Sequence, residues 1–385
     1  MKKNFFLKIL SIFFSIITAA AFIEVSGQIY ALAHPSFEVL TLEPDPFIGW
    51  KHTPNLQWPW AGNYWYQRDF RLDIRNNSLG FRDSEHAFTK PDSVIRIAML
   101  GDSFIEALQV PLEKTAGFLL EKKLDAAATA RGESKKCEVL NFGVSGHGVG
   151  QYLLTWEHYA SKFKPDYAFV FVTGRTLERT VTAEEWGNFP ETEKLKLKIR
   201  PTFRVENDKL ISIPAKDYDR LAAIHKELIQ KEFGGRLFRR RRPGIFLAPY
   251  FNQLAVYGNT ILRNLILKMK GKNPNVLSDQ SILLKTNLKI IEKLRDETAQ
   301  ASASLILVDA TTHFEPTMSQ TSAEIRKFCS MNHIQYIALA PELDLANRQG
   351  RSTRWRHDAH FNETGNEVFA ETMFRWFTNQ RLSNA

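Results

Sequence analysis

Val94-Ile95-Arg96-Ile97-Ala98-Met99-Leu100-Gly101-Asp102-Ser103 is the stretch from which the rest of the chain can be read. It is a near-continuous apolar run, broken only by Arg96, that ends on a glycine and two polar residues. Such a run predicts a strand buried on both faces, the usual condition of a strand in a parallel sheet. Gly101 permits a tight turn out of it, and a helical pattern over 113–130 follows.

The alternation continues along the chain. A strand is expected over 138–142, then the glycine-rich Gly143-Val144-Ser145-Gly146-His147-Gly148-Val149-Gly150, then a helix over 151–162. Pro165-Asp166 introduces a strand over 167–173. Later, helices over 284–299 and 319–329 lead to strands over 304–308 and 334–339, and an amphipathic helix runs over 365–378. This pattern predicts an α/β, flavodoxin-like three-layer sandwich with a central parallel sheet of about five strands. Its ligand site is expected outside the carboxyl ends of the strands. Residues 186–283 break the alternation and read as a mostly helical insertion: a lid, a membrane-lying element or a partner surface. They hold Pro243-Gly244, an apolar basic stretch over 261–270, and a tight basic group, Arg236 and Arg239-Arg240-Arg241-Arg242.

The N-terminus is different. Lys2, Lys3 and Lys8 precede and enter an apolar stretch with no charge over 9–23; with Phe5 to Leu7 it approaches the ~20 residues of a spanning helix. Lysines on one side and Glu24 on the other place the N-terminus in the cytoplasm and the body outside that membrane. A cleaved signal peptide is the competing reading, with Ala31-Leu32-Ala33 as its small-x-small site. An uncleaved single-pass anchor over 1–33 is expected, then an aromatic pre-domain segment over 34–92, then a main domain over 93–385 that carries the insertion. Trp50, Trp58, Trp60 and Tyr64-Trp65-Tyr66 in the segment can sit at the lipid interface, stack on sugar rings, or cap one end of the core.

The 385 residues are 44% hydrophobic and carry a net charge of +9, five charges of which come from the arginine group. That is enough apolar content for one large core. No nucleic-acid module accompanies the basic balance, so an anionic membrane surface is the expected partner, not nucleic acid. The two cysteines, Cys137 and Cys329, define neither a disulfide framework nor a zinc site and read as buried small hydrophobes. Asp309 and His313 do not make a metal site either, and no cofactor is expected.

Chemistry gathers at three places. Ser103 stands where a buried strand gives way to a helix, so its hydroxyl projects above the sheet and its N–H can face an oxyanion. Alone it would read as a helix cap. A serine hydroxyl needs a base to become a nucleophile. Arg356-His357-Asp358-Ala359-His360-Phe361-Asn362 supplies one: His360 as base and then acid, and Asp358 to hold its tautomer. His357 is a second candidate, ranked below His360. Gly146, past the second strand, has no side chain to obstruct an N–H aimed at a substrate oxygen.

Taken together, Gly101-Asp102-Ser103-Phe104, Asn141-Phe142-Gly143-Val144-Ser145-Gly146, and Asp358-Ala359-His360 with Asn362 and Gly365 resemble the SGNH/GDSL hydrolase superfamily. The resemblance covers roughly 93–185 and 285–380, in the family's order. It implies a serine nucleophile and an oxyanion hole built from the serine N–H, a glycine N–H and an asparagine side chain. The glycine maps to Gly146. The asparagine does not map: Thr173-Gly174-Arg175-Thr176 puts Arg175 at its position. Losing one such donor costs ~3 kcal/mol, or about a hundredfold in rate. Either Arg175 donates to the oxyanion, or grips an acidic substrate group, with its planar fork, or the site binds without turnover; a neutral structural Arg175 turned out to solvent is the remaining alternative. An anchor and an aromatic pre-segment also occur in bacterial relatives linked to envelope modification. The resemblance therefore implies a serine esterase or O-acyltransferase acting on an O-acyl, expectedly acetyl, ester of an envelope polysaccharide or related carbohydrate. The alternatives are a catalytically weak binding or assembly component of a membrane polysaccharide machine, and a phospholipid-directed lipase.

Overall fold

The computed structural model of the chain describes residues 2–33, 37–62, 69–182, 199–240 and 280–383. Five strands, β1 (Val94–Gly101), β2 (Lys136–Gly143), β3 (Tyr167–Val172), β4 (Ser304–Asp309) and β5 (Gln335–Ala338), form one sheet in the order 5-4-3-1-2. Every pairing in it is parallel. This is a doubly wound sheet whose strand order reverses beside β1. The period of two sorts its side chains. Ala98, Leu100, Ala168, Val170, Val172, Leu305 and Leu307 face a core shared with the helices Val149–His158, Gln280–Gln300 and Ser319–Met331. Ile97, Met99, Phe169, Phe171, Ile306 and Val308 face a second core shared with Ala116–Ala130, Ala340–Arg348 and Glu363–Ser383. Cys137 and Cys329 are buried in these cores.

Arg96, the break in the first apolar run, is 1% exposed. Its Nε donates to Glu138 of β2 at 2.6 Å and its Nη1 to the Phe163 carbonyl at 2.8 Å. Its backbone N–H donates to Asp166 ahead of β3 at 2.7 Å. The buried charge is therefore a tie among the amino ends of three strands.

The chain divides into two compact units, Met1–Glu38 with Phe238–Leu277, and Val39–Leu237 with Ser278–Ala385. The first holds the helix Lys2–Ala33, whose apolar span Phe6–Tyr30 covers 25 residues at mean hydropathy 2.2 and is exposed over most of its length. At about 1.5 Å per residue it exceeds a hydrocarbon core of about 30 Å, so it is long enough to cross a membrane as an anchor or to act as a signal sequence. In the same unit Arg239 pairs with Glu38 at 2.7 Å and Arg240 donates to the Leu32 carbonyl at 2.6 Å.

In the second unit the residues ahead of β1 form two antiparallel hairpins, Leu42–Asp45 with Gly49–His52 and Gln57–Ala61 with Arg71–Arg75. Trp50 and Trp58 are buried, and Trp50 belongs to the first core. The described part of the insertion holds a hairpin, Thr202–Glu206 with Lys209–Ile213, and a helix, Tyr218–Phe233. Tyr64-Trp65-Tyr66, Arg241-Arg242, Pro243-Gly244 and the stretch 261–270 lie outside the described residues.

Replacing Arg96 by methionine leaves Glu138 and the Phe163 carbonyl without their donor. It is expected to destabilise the fold by about 3 kcal/mol, measured as a lower thermal midpoint; an unchanged midpoint would mean the tie contributes nothing.

Candidate active site

The turn after β1 is shaped by two residues. A Cβ on Gly101 would stand 2.1 Å from Ile105 Cγ1, so only glycine fits there. Asp102 caps the next helix, Ser103–Glu106, accepting the Phe104 N–H at 3.1 Å. Ser103 opens that helix, so its N–H has no partner within it.

The histidine arrives from the other end of the chain. Arg354 and Phe361 bridge as an antiparallel pair. Asn362 ties off the loop, donating to the Ser352 and Arg354 carbonyls at 2.8 and 3.0 Å and accepting the Gly365 N–H at 2.9 Å. Within the loop, Asp358 Oδ1 accepts the His360 N–H at 2.9 Å and lies 2.5 Å from His360 Nδ1. His360 Nε2 lies 2.8 Å from Ser103 Oγ. A carboxylate only accepts, so the proton belongs on Nδ1, and Nε2 is left to accept from the serine. Ser103 is 7% exposed and the His360 side chain 24%.

Burial works against ionisation of Asp358, but the hydrogen bonds and charge of His360 outweigh it and hold the carboxyl below its usual range. Phe104 stands 5.1 Å from the His360 ring, with Phe314 at 4.5 Å and Phe361 at 4.9 Å from Phe104. The Arg354 guanidinium lies over Phe314 at 4.2 Å. An aromatic wall therefore flanks the serine.

Gly146 lies in the loop after β2 with φ +82°, a left-handed conformation that favours glycine. None of the described residues accepts its N–H. Arg175, by contrast, is exposed and makes no side-chain hydrogen bond among the described residues. Its charge acts on Glu178 and Glu315, whose carboxyls are pushed up by burial. The Gly174 N–H beside it is taken by Glu315 at 3.0 Å. His357 turns to Asp69, its Nδ1 at 3.1 Å and its N–H donating at 2.8 Å. Asp309 accepts from Thr311 and Tyr336, while His313 meets Asp344.

Several residues at the site carry no sequence motif. Arg179, one turn beyond Arg175, donates to the buried Asp102 carboxylate at 2.9 Å and to the His147 carbonyl at 3.1 Å. Glu106, fully buried, meets His52 Nε2 at 2.5 Å and accepts the Ser145 N–H at 3.1 Å. His147 is fully enclosed, and burial pushes its imidazole down to about 3. Nothing local in the sequence marks any of them as site residues.

No family model and no curated protein sequence matches the chain. Solved structures similar to it include a GDSL-like lipase from Parabacteroides merdae, at 11% identity and TM-score 0.38 over 73% of this chain and 94% of that one. The acetylxylan esterase Axe2 from Geobacillus stearothermophilus is similar at 12% identity and TM-score 0.39, over 73% of this chain and 93% of that one. A lipolytic protein of the G-D-S-L family from Veillonella parvula is similar at 14% identity and TM-score 0.37, over 74% and 98% of the two chains. At these scores the functional reading rests on the chain's own geometry.

Removing the Arg179 charge with methionine strands the Asp102 carboxylate, which is 2% exposed. A loss of about 3 kcal/mol is expected, with a thermal midpoint several degrees lower; calorimetry on the variant checks it. The Asp358 carboxyl ionises more readily folded than unfolded. Its stabilisation is therefore complete above the unfolded value near pH 4 and lost as pH falls through the depressed folded value. The midpoint gap between wild type and Asp358→Asn should narrow as pH drops from about 5 towards 3; a constant gap would refute the linkage.

Proposed function

We propose that the chain is a serine esterase or O-acyltransferase of the SGNH/GDSL type, with Ser103 as nucleophile, His360 as general base and Asp358 as its orienting carboxylate. The observation that carries this is the run of contacts from Ser103 Oγ to His360 Nε2 at 2.8 Å and from His360 Nδ1 to Asp358 at 2.5 Å. Ser103 Oγ attacks the ester carbonyl as His360 takes its proton. The tetrahedral oxyanion is received by the Ser103 and Gly146 N–H groups. Its collapse expels the alcohol, which takes the proton back from His360 and leaves Ser103 acylated. Water or a sugar hydroxyl then attacks the acyl-enzyme by the same steps in reverse, giving hydrolysis or transfer.

The substrate class is an O-acyl, chiefly acetyl, ester of an envelope polysaccharide or related carbohydrate. The aromatic wall of Phe104, Phe314 and Phe361 offers an apolar face for the acyl group. The helix Lys2–Ala33, with Lys2, Lys3 and Lys8 at its start and Glu24 past its uncharged run, favours an uncleaved anchor with the catalytic domain on the far side from the cytoplasm. The three expected segments, 1–33, 34–92 and 93–385, belong to this reading. So does a role for Arg175, as a grip on an acidic group of the substrate.

A second reading, a catalytically weak binding or assembly component of a membrane polysaccharide machine, draws on one observation. Thr173-Gly174-Arg175 offers no amide side chain, and its Gly174 N–H is occupied.

The two separate on p-nitrophenyl acetate. Turnover is expected in the wild type, abolished in Ser103→Ala and lowered by roughly three to four orders of magnitude in Asp358→Asn, which upsets the imidazole tautomer. Decanoyl esters should turn over more slowly than acetyl esters. Wild-type protein that neither turns over esters nor reacts with a fluorophosphonate at Ser103 would favour the binder; a preference for long chains would favour a lipase.

A further inference from the structure

The loop after β2 begins beside the nucleophile turn, because Gly143 pairs in register with Gly101 and the Val144 N–H donates to the Gly101 carbonyl at 3.2 Å. Ser145, Gly146 and His147 offer six backbone polar groups, and five are engaged. The Ser145 N–H goes to Glu106 at 3.1 Å, and the Ser145 carbonyl accepts from Trp50 Nε1 at 2.9 Å. The Gly146 carbonyl accepts from Arg200 Nη2 at 3.2 Å. The His147 N–H goes to the Val144 carbonyl at 3.2 Å, and the His147 carbonyl accepts from Arg179 at 3.1 Å. The sixth, the N–H of the buried residue Gly146, is accepted by none of the described residues. A backbone donor without a partner in a buried residue is rare and calls for an explanation.

We infer that Trp50, from the segment ahead of the sheet, is a positioning residue for the oxyanion donor, and that Arg200 braces it. A trans peptide sets its C=O and following N–H in opposite directions, and no cis peptide occurs among the described residues. Trp50 lies in the core behind the loop, with Ile48, Val144 and Val149. By drawing the Ser145 carbonyl inward, its indole turns the Gly146 N–H outward, away from the core. Gly146 has no side chain to resist rotation of this peptide plane, so the plane needs an external hold. Arg200 stacks over the Trp50 ring at 5.2 Å while gripping the next carbonyl, and so fixes both the indole and the loop. His147 completes the frame, its Nε2 at 2.9 Å from the Trp50 carbonyl. The segment ahead of the sheet thereby becomes part of the catalytic apparatus. This deepens the reading of Ser103 as an acylated nucleophile and rests on it.

The test uses the full-length protein in detergent and compares Trp50→Phe with Trp58→Phe. Trp58 is equally buried, but its indole N–H has no partner among the described residues, so it controls for packing. Trp50→Phe is expected to lower kcat on p-nitrophenyl acetate about ten- to a hundredfold and to weaken phenylboronate, a tetrahedral mimic, by the same factor. KM should stay within about twofold, and Trp58→Phe should change none of these. Benzothienylalanine at position 50, which keeps the ring shape and deletes the N–H, should reproduce the loss even if phenylalanine at position 50 prevents folding. Wild-type kcat in the benzothienyl variant, or an equal fall in Trp58→Phe, overturns the inference. Nuclear relaxation of the Gly146 amide reports on the order of this peptide plane without any need for turnover. A looser Gly146 amide in the position-50 variants alone supports the hold even if the wild type proves inert to esters, in which case only the esterase reading falls; an amide of unchanged order overturns the hold.

Discussion

The hydrogen bond between Ser103 and His360 joins residues 257 positions apart, and most of the second unit can be understood as the scaffold that closes this distance. The serine is fixed by β1, which lies inside the sheet between β2 and β3. The histidine is fixed by the helix that follows it. Glu363–Ser383 packs in the same core as Ala116–Ala130, the long helix between β1 and β2, through Leu120, Leu124, Phe369 and Met373. Two polar contacts set its register: Asn366 accepts the Ala116 N–H at 3.1 Å, and Lys123 pairs with Glu371 at 2.7 Å. Apolar burial brings the last helix against the sheet, and these contacts select the one position in which the preceding loop overhangs the end of β1. A slide of one helical turn, about 5.4 Å, would leave the same apolar faces in contact and separate the imidazole from the hydroxyl.

Around that contact the molecule buries an unusual set of ionisable groups. Asp102, Glu106, His52 and His147 are all less than 9% exposed and lie within a few residues or one contact of the crevice. Isolated buried charges are expensive, and they persist only when paired and hydrogen-bonded. Asp102 has Arg179 and the Phe104 N–H; Glu106 has His52 and Ser145. Replacing such pairs by apolar residues often leaves stability unchanged or improves it. Their use here is better sought in direction than in stability, because each ends on a backbone group of the nucleophile turn or the glycine loop.

The sheet is legible in the sequence because strands buried on both faces must be almost wholly apolar. The runs at 94–100, 167–173 and 304–308 leave little alternative. The short helix Ala340–Arg348 is not, since nine residues with Pro341 near the start resemble the loop they interrupt. Ser103, Asp358 and His360 can be picked out because each stands beside a strand end or helix start, and the structure brings their side chains together. His357 already ranks below His360 in the sequence; the fold adds that Asp69, 288 positions away, claims it. Trp50 and Arg179 are not legible as site residues. Their meaning lies in contacts with Ser145 and Asp102, 95 and 77 positions distant, and no local pattern announces such a pair.

Arg175 shows what this arrangement must compensate for. In the resemblance that the motifs suggest, an asparagine side chain would share the oxyanion with two backbone donors. Here the exposed guanidinium makes no hydrogen bond among the described residues, and the adjacent Gly174 N–H is spent on Glu315. In the proposed reaction the charge that develops on the substrate oxygen then falls on two peptide N–H groups. An electrostatic site made of fewer donors depends more on their being fixed in advance, because a donor that must reorient during the reaction returns part of its stabilisation as reorganisation. One of the two, at Ser103, is held by the helix it opens. The other sits at a glycine, the residue least able to hold its own peptide plane. A chain that lacks the third donor therefore has the greater need for Trp50, Arg200, Arg179 and Glu106 to be where they are.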